Sequence, residues 1–312
     1  MKENTRSFTG IEIGRLIFAC FIPLLHIGFE WQGMFFVQQY IARLGVPFFF
    51  VVSGMFLAKS IEKKGAYQAW MRYTKHIGRM LLIWLAIYMP VICMQEGGFP
   101  LREMLFRTPA FLWYLTALLT AAIPFCFIRS RKALFIAAMI LYCAGTIFGS
   151  TYQWLTGGIP YYDNIFLTTR NGLFFGLPMM CIGEFSWKKN NISIIVLLAA
   201  VVLYAVEVTI VSMFIEPGVD RSMYFTLPIV MFCIIVALRG WNPDVNTNDF
   251  GKLSTAIYMM QFGVITVITK LLTVSLSLNG DALSFIVYAM VLIVPCIAYR
   301  VFKNTKIVKY LL

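Results

Sequence analysis

Charged side chains are scarce in this sequence. Asp, Glu, Lys and Arg together make up 13% of the 312 residues, whereas soluble domains carry roughly 25%. Hydrophobic residues reach 60%, so the chain has too few polar groups to cover a water-facing surface. This shortage excludes a soluble globular protein. It predicts a multi-pass protein of the cell membrane, with the lipid bilayer as its main surroundings.

Histidine is also rare, and cysteine occurs without any close pair. The chain has 2 histidines and 7 cysteines, and every cysteine lies in an apolar run. Metal sites and disulfide frameworks need such residues in clusters or at fixed spacings. We therefore predict no metal site and no cofactor in this chain. The first apolar run also lacks the small-residue cleavage site of a signal peptide, so we expect it to remain as the first helix.

Long apolar runs are abundant. Each is close to the length that a tilted membrane-spanning helix needs, and the connections between them are short. They predict an all-α fold, a polytopic membrane bundle of about ten transmembrane helices that forms a single domain over residues 1–312. The runs cover residues 11–29, 40–58, 77–95, 111–128, 133–150, 171–187, 192–214, 222–239, 253–272 and 283–302.

Lysine and arginine are distributed unevenly over the predicted connections. Nineteen of them fall at the two chain ends and in the loops that follow even-numbered runs, and six fall on the opposite side. Basic residues accumulate on the cytoplasmic side of membrane proteins, so we predict that both termini are cytoplasmic. The net charge of +12 is then a topology signal, and no nucleic-acid partner is predicted.

The first run, IEIGRLIFACFIPLLHIGFE at residues 11–30, carries an ionisable stripe. At 100° per residue, Glu12, Arg15, His26 and Glu30 fall within about 60° of one another. Charged groups inside a membrane normally face a bundle interior or a water-filled cavity. One interpretation is that the stripe lines a functional site. The other is two local ion pairs at helical spacing, Glu12 with Arg15 and His26 with Glu30.

Polar residues near the outer ends of other runs point to the same region. With the predicted topology, Arg43, Arg170 and Glu207 lie at a depth similar to that of His26, and Glu207 is flanked by apolar residues on both sides. An acid in such surroundings is usually partnered and functional. We predict that these four residues line one outward-opening cavity. Further candidate substrate contacts at this end are Trp113, Asn171 and Tyr224.

The basic segment at residues 59–79 is longer than a connection between two helices requires. Its aromatic and basic residues suit an amphipathic helix that lies on the inner leaflet. Alternatively, its cations bind a cytosolic polyanion such as a nucleotide diphosphate. The candidate phosphate-binding residues in that interpretation are Arg72, Lys75 and Arg79.

The N-terminal third of the chain resembles the acyltransferase-3 superfamily of integral membrane proteins. RLGVPFFFVVSGMFL at residues 43–57 is similar to the second-helix signature of that superfamily. Glu12, Arg15 and His26 fit its N-terminal pattern of an acid, an arginine and a histidine. The resemblance implies a polytopic helical fold and a site close to this pattern.

Later motifs of the same superfamily are present with two departures. HIGRMLLIW at residues 76–84 resembles the basic motif that enters the third helix, with His76 where an arginine is common. LSTAIYMMQ at residues 253–261 resembles a late tyrosine-and-histidine signature, with Gln261 where a histidine is frequent. Gln261 is accordingly a further candidate substrate contact.

A narrower resemblance is to the membrane domain of the membrane-bound serine racemases of vancomycin-resistance clusters, the VanT type. It rests on TRNGLFFGLP at residues 169–178, on DRSMYFTLPIV at residues 220–230, and on Glu207 in the seventh run. Those racemases carry a cytoplasmic pyridoxal-phosphate domain after the last helix. The apolar runs of this chain end at residue 302, so we expect the racemase domain to be absent and racemase activity to be impossible in this chain.

The resemblance implies two functions. In the first, the chain binds L-serine and supplies it across the cytoplasmic membrane to a serine racemase domain. Arg43 or Arg170 would hold the carboxylate of a small amino acid, because a guanidinium matches it. Glu207 would hold the ammonium group, and Asn171, Tyr224 or His26 would hold the hydroxyl.

In the second function, the chain is a membrane O-acyltransferase. It would move an acyl group from cytosolic acyl-CoA, its co-substrate, to a hydroxyl acceptor outside. His26 would act as general base or transient acyl carrier, because imidazole titrates near neutral pH. Glu12 and Arg15 would hold the donor path, and the cations of residues 72–79 would bind the CoA phosphates.

Overall fold

The computed structural model describes residues 8–96, 112–151, 171–189, 191–214 and 222–305, together with residues 308 and 311. Every regular element within these ranges is a helix. The all-α class predicted from the apolar runs is therefore confirmed for the described part of the chain. The fold is a bundle in which each predicted apolar run coincides with a helical segment.

Seven of the helical segments in the described ranges are long and apolar enough to cross a membrane, and α4, α6 and α8 are shorter. A membrane bundle follows from this, whereas the count of ten crossings stays a prediction. The segments are α1 (Thr9–His26), α2 (Gln32–Lys64), α3 (Ala66–Glu96), α4 (Trp113–Phe127), α5 (Arg131–Gly149), α6 (Leu177–Trp187), α7 (Ile194–Phe214), α8 (Leu227–Gly240), α9 (Phe250–Leu276) and α10 (Gly280–Phe302).

Helix α1 ends earlier than the ionisable stripe requires. It is α-helical to Phe21, continues as a 3₁₀ helix through Pro23, and ends at His26, after which Ile27 is extended. Glu30 is exposed and lies beyond the helix, where its backbone N–H donates to a carboxylate oxygen of Asp281 at 2.8 Å. The predicted stripe therefore stops at His26. The proposed helical spacing of His26 and Glu30 is wrong, because the two residues do not share a helix.

The segment at residues 59–79 is not a separate surface helix. Helix α2 continues to Lys64, and Gly65 then adopts a φ of 81°, which belongs to the left-handed region that glycine tolerates. Helix α3 begins at Ala66 and runs without interruption to Glu96. The basic residues of this segment thus lie on the adjoining ends of two long helices.

Helices α2 and α6 approach each other closely, and two glycines make this possible. A Cβ atom built on Gly54 would lie 2.1 Å from the carbonyl oxygen of Met180. One built on Gly183 would lie 2.0 Å from the carbonyl oxygen of Val51. Small residues at such crossings let backbones meet in membrane proteins, where packing replaces the hydrophobic drive. Helix α2 also contacts α1, α3, α4 and α8, so it lies at the centre of the bundle.

An aromatic cluster joins the ends of four helices at one end of the bundle. Phe8 precedes α1 and stacks on Trp187 at the end of α6, with ring centroids 5.7 Å apart. Lys59 Nζ lies 4.5 Å from the ring centroid of Phe8, and Arg239 Cζ lies 4.6 Å from that of Trp187. The start of α1 and the ends of α2, α6 and α8 therefore meet on one side, as helices of alternating direction require. Which side of the membrane this is stays a prediction.

Cysteine labelling provides a test of the predicted orientation. Arg129 and Lys188 are exposed in loops near the Phe8 end, and Gln32 and Asn279 are exposed at the opposite end. In a cysteine-free background, we expect cysteines at 129 and 188 to react with a membrane-impermeant maleimide only after the membrane is permeabilised. Cysteines at 32 and 279 should react in intact cells. The reverse pattern would mean that both ends of the chain face outwards.

Candidate functional site

A cavity of about 150 Å³ lies inside the bundle between α1, α2, α3, α4 and α9. Along α2 its wall runs from Val46 to Phe56, which corresponds to roughly 15 Å of helix. Most of the wall is apolar, and the polar side chains come from all five helices. They are Arg15, Ser53, His76, Tyr114, Ser254, Thr255 and Tyr258.

Arg15 is the permanent charge of this cavity, and Glu12 and α9 fix its position. Its Nη1 donates to Glu12 Oε1 at 2.9 Å and to Oε2 at 3.1 Å, and Nη2 donates to the carbonyl oxygen of Gly251 at 3.3 Å. The predicted Glu12–Arg15 pair is thus formed. A Cβ atom at Gly251 would lie 2.4 Å from Arg15 Nη1, so a larger residue there would require the guanidinium to shift.

Two hydroxyl groups meet on the wall formed by α2 and α4. Ser53 Oγ and Tyr114 Oη are 3.2 Å apart, and the Tyr114 ring makes an edge contact with Tyr258 at a centroid distance of 5.5 Å. The Tyr114 hydroxyl also lies within electrostatic range of Arg15. The cavity therefore offers neutral hydrogen-bonding groups close to a fixed cation.

Helix α9 contributes two further hydroxyls. Ser254 Oγ donates to the carbonyl oxygen of Phe250 at 2.6 Å, and Thr255 Oγ1 donates to that of Gly251 at 2.9 Å. Because each hydroxyl hydrogen is used within the helix, each oxygen presents acceptor lone pairs to other groups. Sequence reasoning missed both residues, although they lie within the LSTAIYMMQ motif that drew attention to Gln261.

Two of the residues predicted to line an outward-opening cavity, Glu207 and Arg43, form hydrogen bonds elsewhere in the structure. Glu207 accepts from the backbone N–H groups of Phe225 and Thr226 at 2.7 and 2.8 Å, and also from the Thr226 hydroxyl. Its carboxylate therefore caps the start of α8. Arg43 Nε donates to Gln39 Oε1 at 2.7 Å. Neither residue lines the cavity.

Arg43 is linked to helix α7, which carries Glu207, because the Tyr204 hydroxyl on α7 donates to the carbonyl oxygen of Gln39 at 3.3 Å and Arg43 bonds the Gln39 side chain. His26 ends α1 and does not line the cavity described here. Arg170 lies outside the described residues. The proposed shared cavity of His26, Arg43, Arg170 and Glu207 therefore stays a prediction.

The remaining candidates at that end support local structure. Asn171 Oδ1 accepts from the backbone N–H groups of Leu173 and Phe174 at 2.8 and 3.0 Å, which starts the turn leading into α6. Trp113 begins α4, and its ring centroid lies 6.1 Å from that of Phe50. Tyr224 is fully buried, and its carbonyl oxygen accepts from Tyr142 at 2.7 Å.

Gln261 and the predicted phosphate-binding residues lie outside the wall of the cavity. Gln261 is fully buried, and neither of its amide atoms has a hydrogen-bond partner among the described residues. Arg72 and Lys75 are exposed on α3, and Arg79 is half-buried. None of these four lines the cavity, whereas His76, between Lys75 and Arg79, does.

Sequence reasoning also missed a partly buried ion pair. Arg131 at the start of α5 donates through Nε to both carboxylate oxygens of Glu184 on α6, at 2.8 and 3.0 Å. Its Nη1 donates to the carbonyl oxygen of Phe125 at the end of α4 at 2.6 Å. Glu184 is buried. The pair connects three helices, α4, α5 and α6. No pattern in the sequence indicated it, because its two members are far apart along the chain.

The bundle and its internal polar cavity define a multi-pass membrane protein. The family model of the acyltransferase domain (Acyl_transf_3) matches residues 8–301, so the chain belongs to this family. The resemblance inferred from the motifs is thereby confirmed. No solved structure gives a significant match to the chain.

Several curated relatives are racemases. The chain is 28% identical to a serine/alanine racemase of Enterococcus gallinarum over 281 residues, which cover 80% of this chain and 40% of that protein. It is 24% identical to an amino-acid racemase of Enterococcus faecalis over 310 residues, which cover 89% of this chain and 44% of that protein. A second amino-acid racemase of Enterococcus faecalis is 32% identical over 222 residues, 61% of this chain and 29% of its own length. The chain thus spans less than half the length of these relatives.

Proposed function

We propose that this chain is a membrane domain that binds L-serine and supplies it across the cell membrane to a cytoplasmic serine racemase domain. The internal cavity is the observation that carries the proposal. It has room for a small amino acid, because a single water needs only about 10–15 Å³ of such volume. Its wall combines a guanidinium, hydroxyl groups and an imidazole, which are the groups that fix the orientation of a small polar ligand.

Acyl transfer is not favoured by the geometry. That reaction would place His26 beside the reacting atoms, and His26 is not among the residues that line the cavity. The names of the curated relatives refer to racemases that act on serine, alanine or amino acids in general. A domain that delivers the amino acid fits beside such an enzyme.

Ligand-dependent stabilisation tests the proposal. A ligand that binds only the folded state stabilises it by about 2.7 kcal/mol at a concentration of 100 times its Kd. We expect saturating L-serine to raise the melting temperature of the purified protein in detergent, and proteoliposomes to accumulate labelled L-serine. Acetyl-CoA serves as the comparison ligand. The proposal fails if acetyl-CoA stabilises the protein and is consumed with a hydroxyl acceptor while L-serine has no effect.

The Glu207→Gln variant separates two possible locations for the substrate. If L-serine binds in the cavity, the variant should lose stability through the weakened cap of α8, by about 0.5–2 kcal/mol, and keep its affinity for L-serine within about twofold. If Glu207 instead holds the ammonium group, as the sequence suggested, the affinity should fall at least tenfold, because hydrogen bonds to charged groups typically contribute about 1.5–3 kcal/mol. Titration calorimetry and thermal melting of the same preparation distinguish the two results.

A further inference from the structure

Arg15 has hydrogen-bond donors to spare at the cavity wall. A guanidinium carries five N–H donors. Nη1 donates to the two oxygens of Glu12, and Nη2 makes one bond to the carbonyl oxygen of Gly251. Among the described residues, Nε and the second hydrogen of Nη2 have no acceptor. Nε and Nη2 share one edge of the guanidinium plane, and such an edge binds a carboxylate with two parallel hydrogen bonds.

An acceptor lies next to these donors. The carbonyl oxygen of Gly251 accepts from both Arg15 Nη2 and Thr255 Oγ1, so the guanidinium and the threonine hydroxyl are adjacent. The hydroxyl hydrogen of Thr255 is used in that bond, and its oxygen keeps lone pairs for a donor. Both residues line the cavity.

The charges of Arg15 and Glu12 cancel at this part of the cavity wall, which favours a zwitterionic ligand over a simple ion. Arg15 is neutralised by Glu12 at 2.9 Å, so a free anion would bring an excess negative charge into a largely apolar cavity, which is costly. An α-amino acid brings a carboxylate and an ammonium group on the same carbon and no net charge. Arg15 Nη2 and Thr255 Oγ1 both bond the carbonyl oxygen of Gly251, at 3.3 and 2.9 Å, so a carboxylate and an ammonium group on one carbon can address both residues at once.

We propose that Arg15 and Thr255 recognise the head group of an α-amino acid, with the carboxylate on the guanidinium and the ammonium group on the threonine oxygen. This inference rests on the proposed function, since it assigns the recognition of the amino acid that the chain supplies. It gives Arg15 a binding role that differs from the donor-path role implied by the family resemblance. It also leaves the hydrogen-bonded pair of Ser53 and Tyr114 to meet the side chain of the amino acid.

Two truncated ligands test the two halves of the head group separately. Ethanolamine is serine without its carboxylate, and 3-hydroxypropionate is serine without its ammonium group. In wild-type protein, both should bind at least tenfold more weakly than L-serine, because each lacks hydrogen bonds to a charged group. Binding is measured by competition against labelled L-serine on the purified full chain.

The variants should show a crossed pattern. Arg15→Gln should weaken L-serine at least tenfold without weakening ethanolamine, a cation that the unpaired Glu12 would favour. Arg15→Lys should not restore wild-type affinity for L-serine, because an ammonium lacks the guanidinium fork. Thr255→Val should weaken L-serine and leave 3-hydroxypropionate unchanged, whereas Thr255→Ser should retain the binding of L-serine. Gly78→Ala is the matched control, because a Cβ atom at Gly78 would have no neighbour within 4 Å.

The outcomes separate this inference from the proposed function. Wild-type protein that binds no L-serine would overturn both. Wild-type protein that binds L-serine, with Arg15 and Thr255 variants that bind it normally, would overturn only the head-group assignment. Variants that weaken all three ligands equally would also overturn it, because a uniform loss reports damaged packing and not recognition.

Discussion

Replacing Gly54 by valine is expected to separate α2 from α6 and to leave little folded protein. The new Cβ atom would lie 2.1 Å from the carbonyl oxygen of Met180 and 2.4 Å from its Cα. Backbone atoms cannot rotate away as the end of a flexible side chain can, so the whole helix would have to move. Overpacking a core typically costs about 1–3 kcal/mol and occasionally more, and we expect about 3 kcal/mol or more here.

The matching position on the other helix should behave in the same way. A Cβ atom at Gly183 would lie 2.0 Å from the carbonyl oxygen of Val51 and 2.8 Å from the backbone nitrogen of Met55. Each glycine follows by three residues the carbonyl that meets the opposite helix, so the crossing is nearly symmetric. We expect Gly183→Ala alone to lower the melting temperature strongly, because even a methyl group overlaps the facing backbone.

Gly78→Ala is a control variant in which the substitution is expected to leave stability unchanged or to raise it slightly. Gly78 lies within α3, and nothing lies within 4 Å of a Cβ atom built there. Alanine in a helix interior is more favourable than glycine by about 0.5–1 kcal/mol, so this variant should be as stable as wild type or slightly more stable. Size-exclusion profiles and melting curves in detergent compare the three variants. A Gly54→Val protein that elutes and melts like wild type would contradict the close crossing of α2 and α6.

The helices could be predicted from the sequence because each one follows from a local run of apolar residues. An apolar run needs no knowledge of its neighbours, and each of the ten runs coincides with a helical segment in the described part of the chain. The Glu12–Arg15 pair was readable for the same reason, because residues three apart share a helix face. The prediction of a continuous ionisable stripe is wrong near Pro23, because α1 becomes a 3₁₀ helix at Ile22 and ends at His26. A 3₁₀ helix has three residues per turn, so an angle of 100° per residue no longer applies.

The cavity could not be predicted from the sequence, because it depends on how five helices are rotated against one another. Ser53, His76 and Thr255 come from three different helices, and no spacing along the chain relates them. Glu207 has a structural contact that the sequence did not indicate, and its site role stays a prediction. Its apolar flanks indicated a site role, but the partners of its carboxylate are backbone N–H groups at the start of α8. A helix start carries unpaired N–H groups whatever its sequence, so no side-chain pattern announced the cap.

Removing the carboxylate of Glu184 is expected to destabilise the bundle by about 3 kcal/mol, the lower end of the range for breaking a buried ion pair, because the Arg131 side chain is 28% exposed. Glu184 is 8% exposed, and Arg131 donates to it through Nε and Nη2. In Glu184→Leu, the guanidinium would keep its charge, because arginine does not lose its proton in proteins. Among the described residues, its remaining acceptors would be the carbonyl oxygens of Phe125 and Ile128.

The double variant Glu184→Leu with Arg131→Met should recover at least half of the lost stability. Replacing both members of a buried pair by apolar residues of similar size is often neutral or even stabilising, because the desolvation of two charges no longer opposes folding. The exposed pair of Lys303 and Asp249, 3.8 Å apart, supplies the comparison, and Lys303→Gln should cost less than about 1 kcal/mol. Melting temperatures of the four proteins in one detergent decide the matter. If the double variant is no more stable than Glu184→Leu, the loss comes from the packing of leucine at position 184 and not from an unpaired guanidinium.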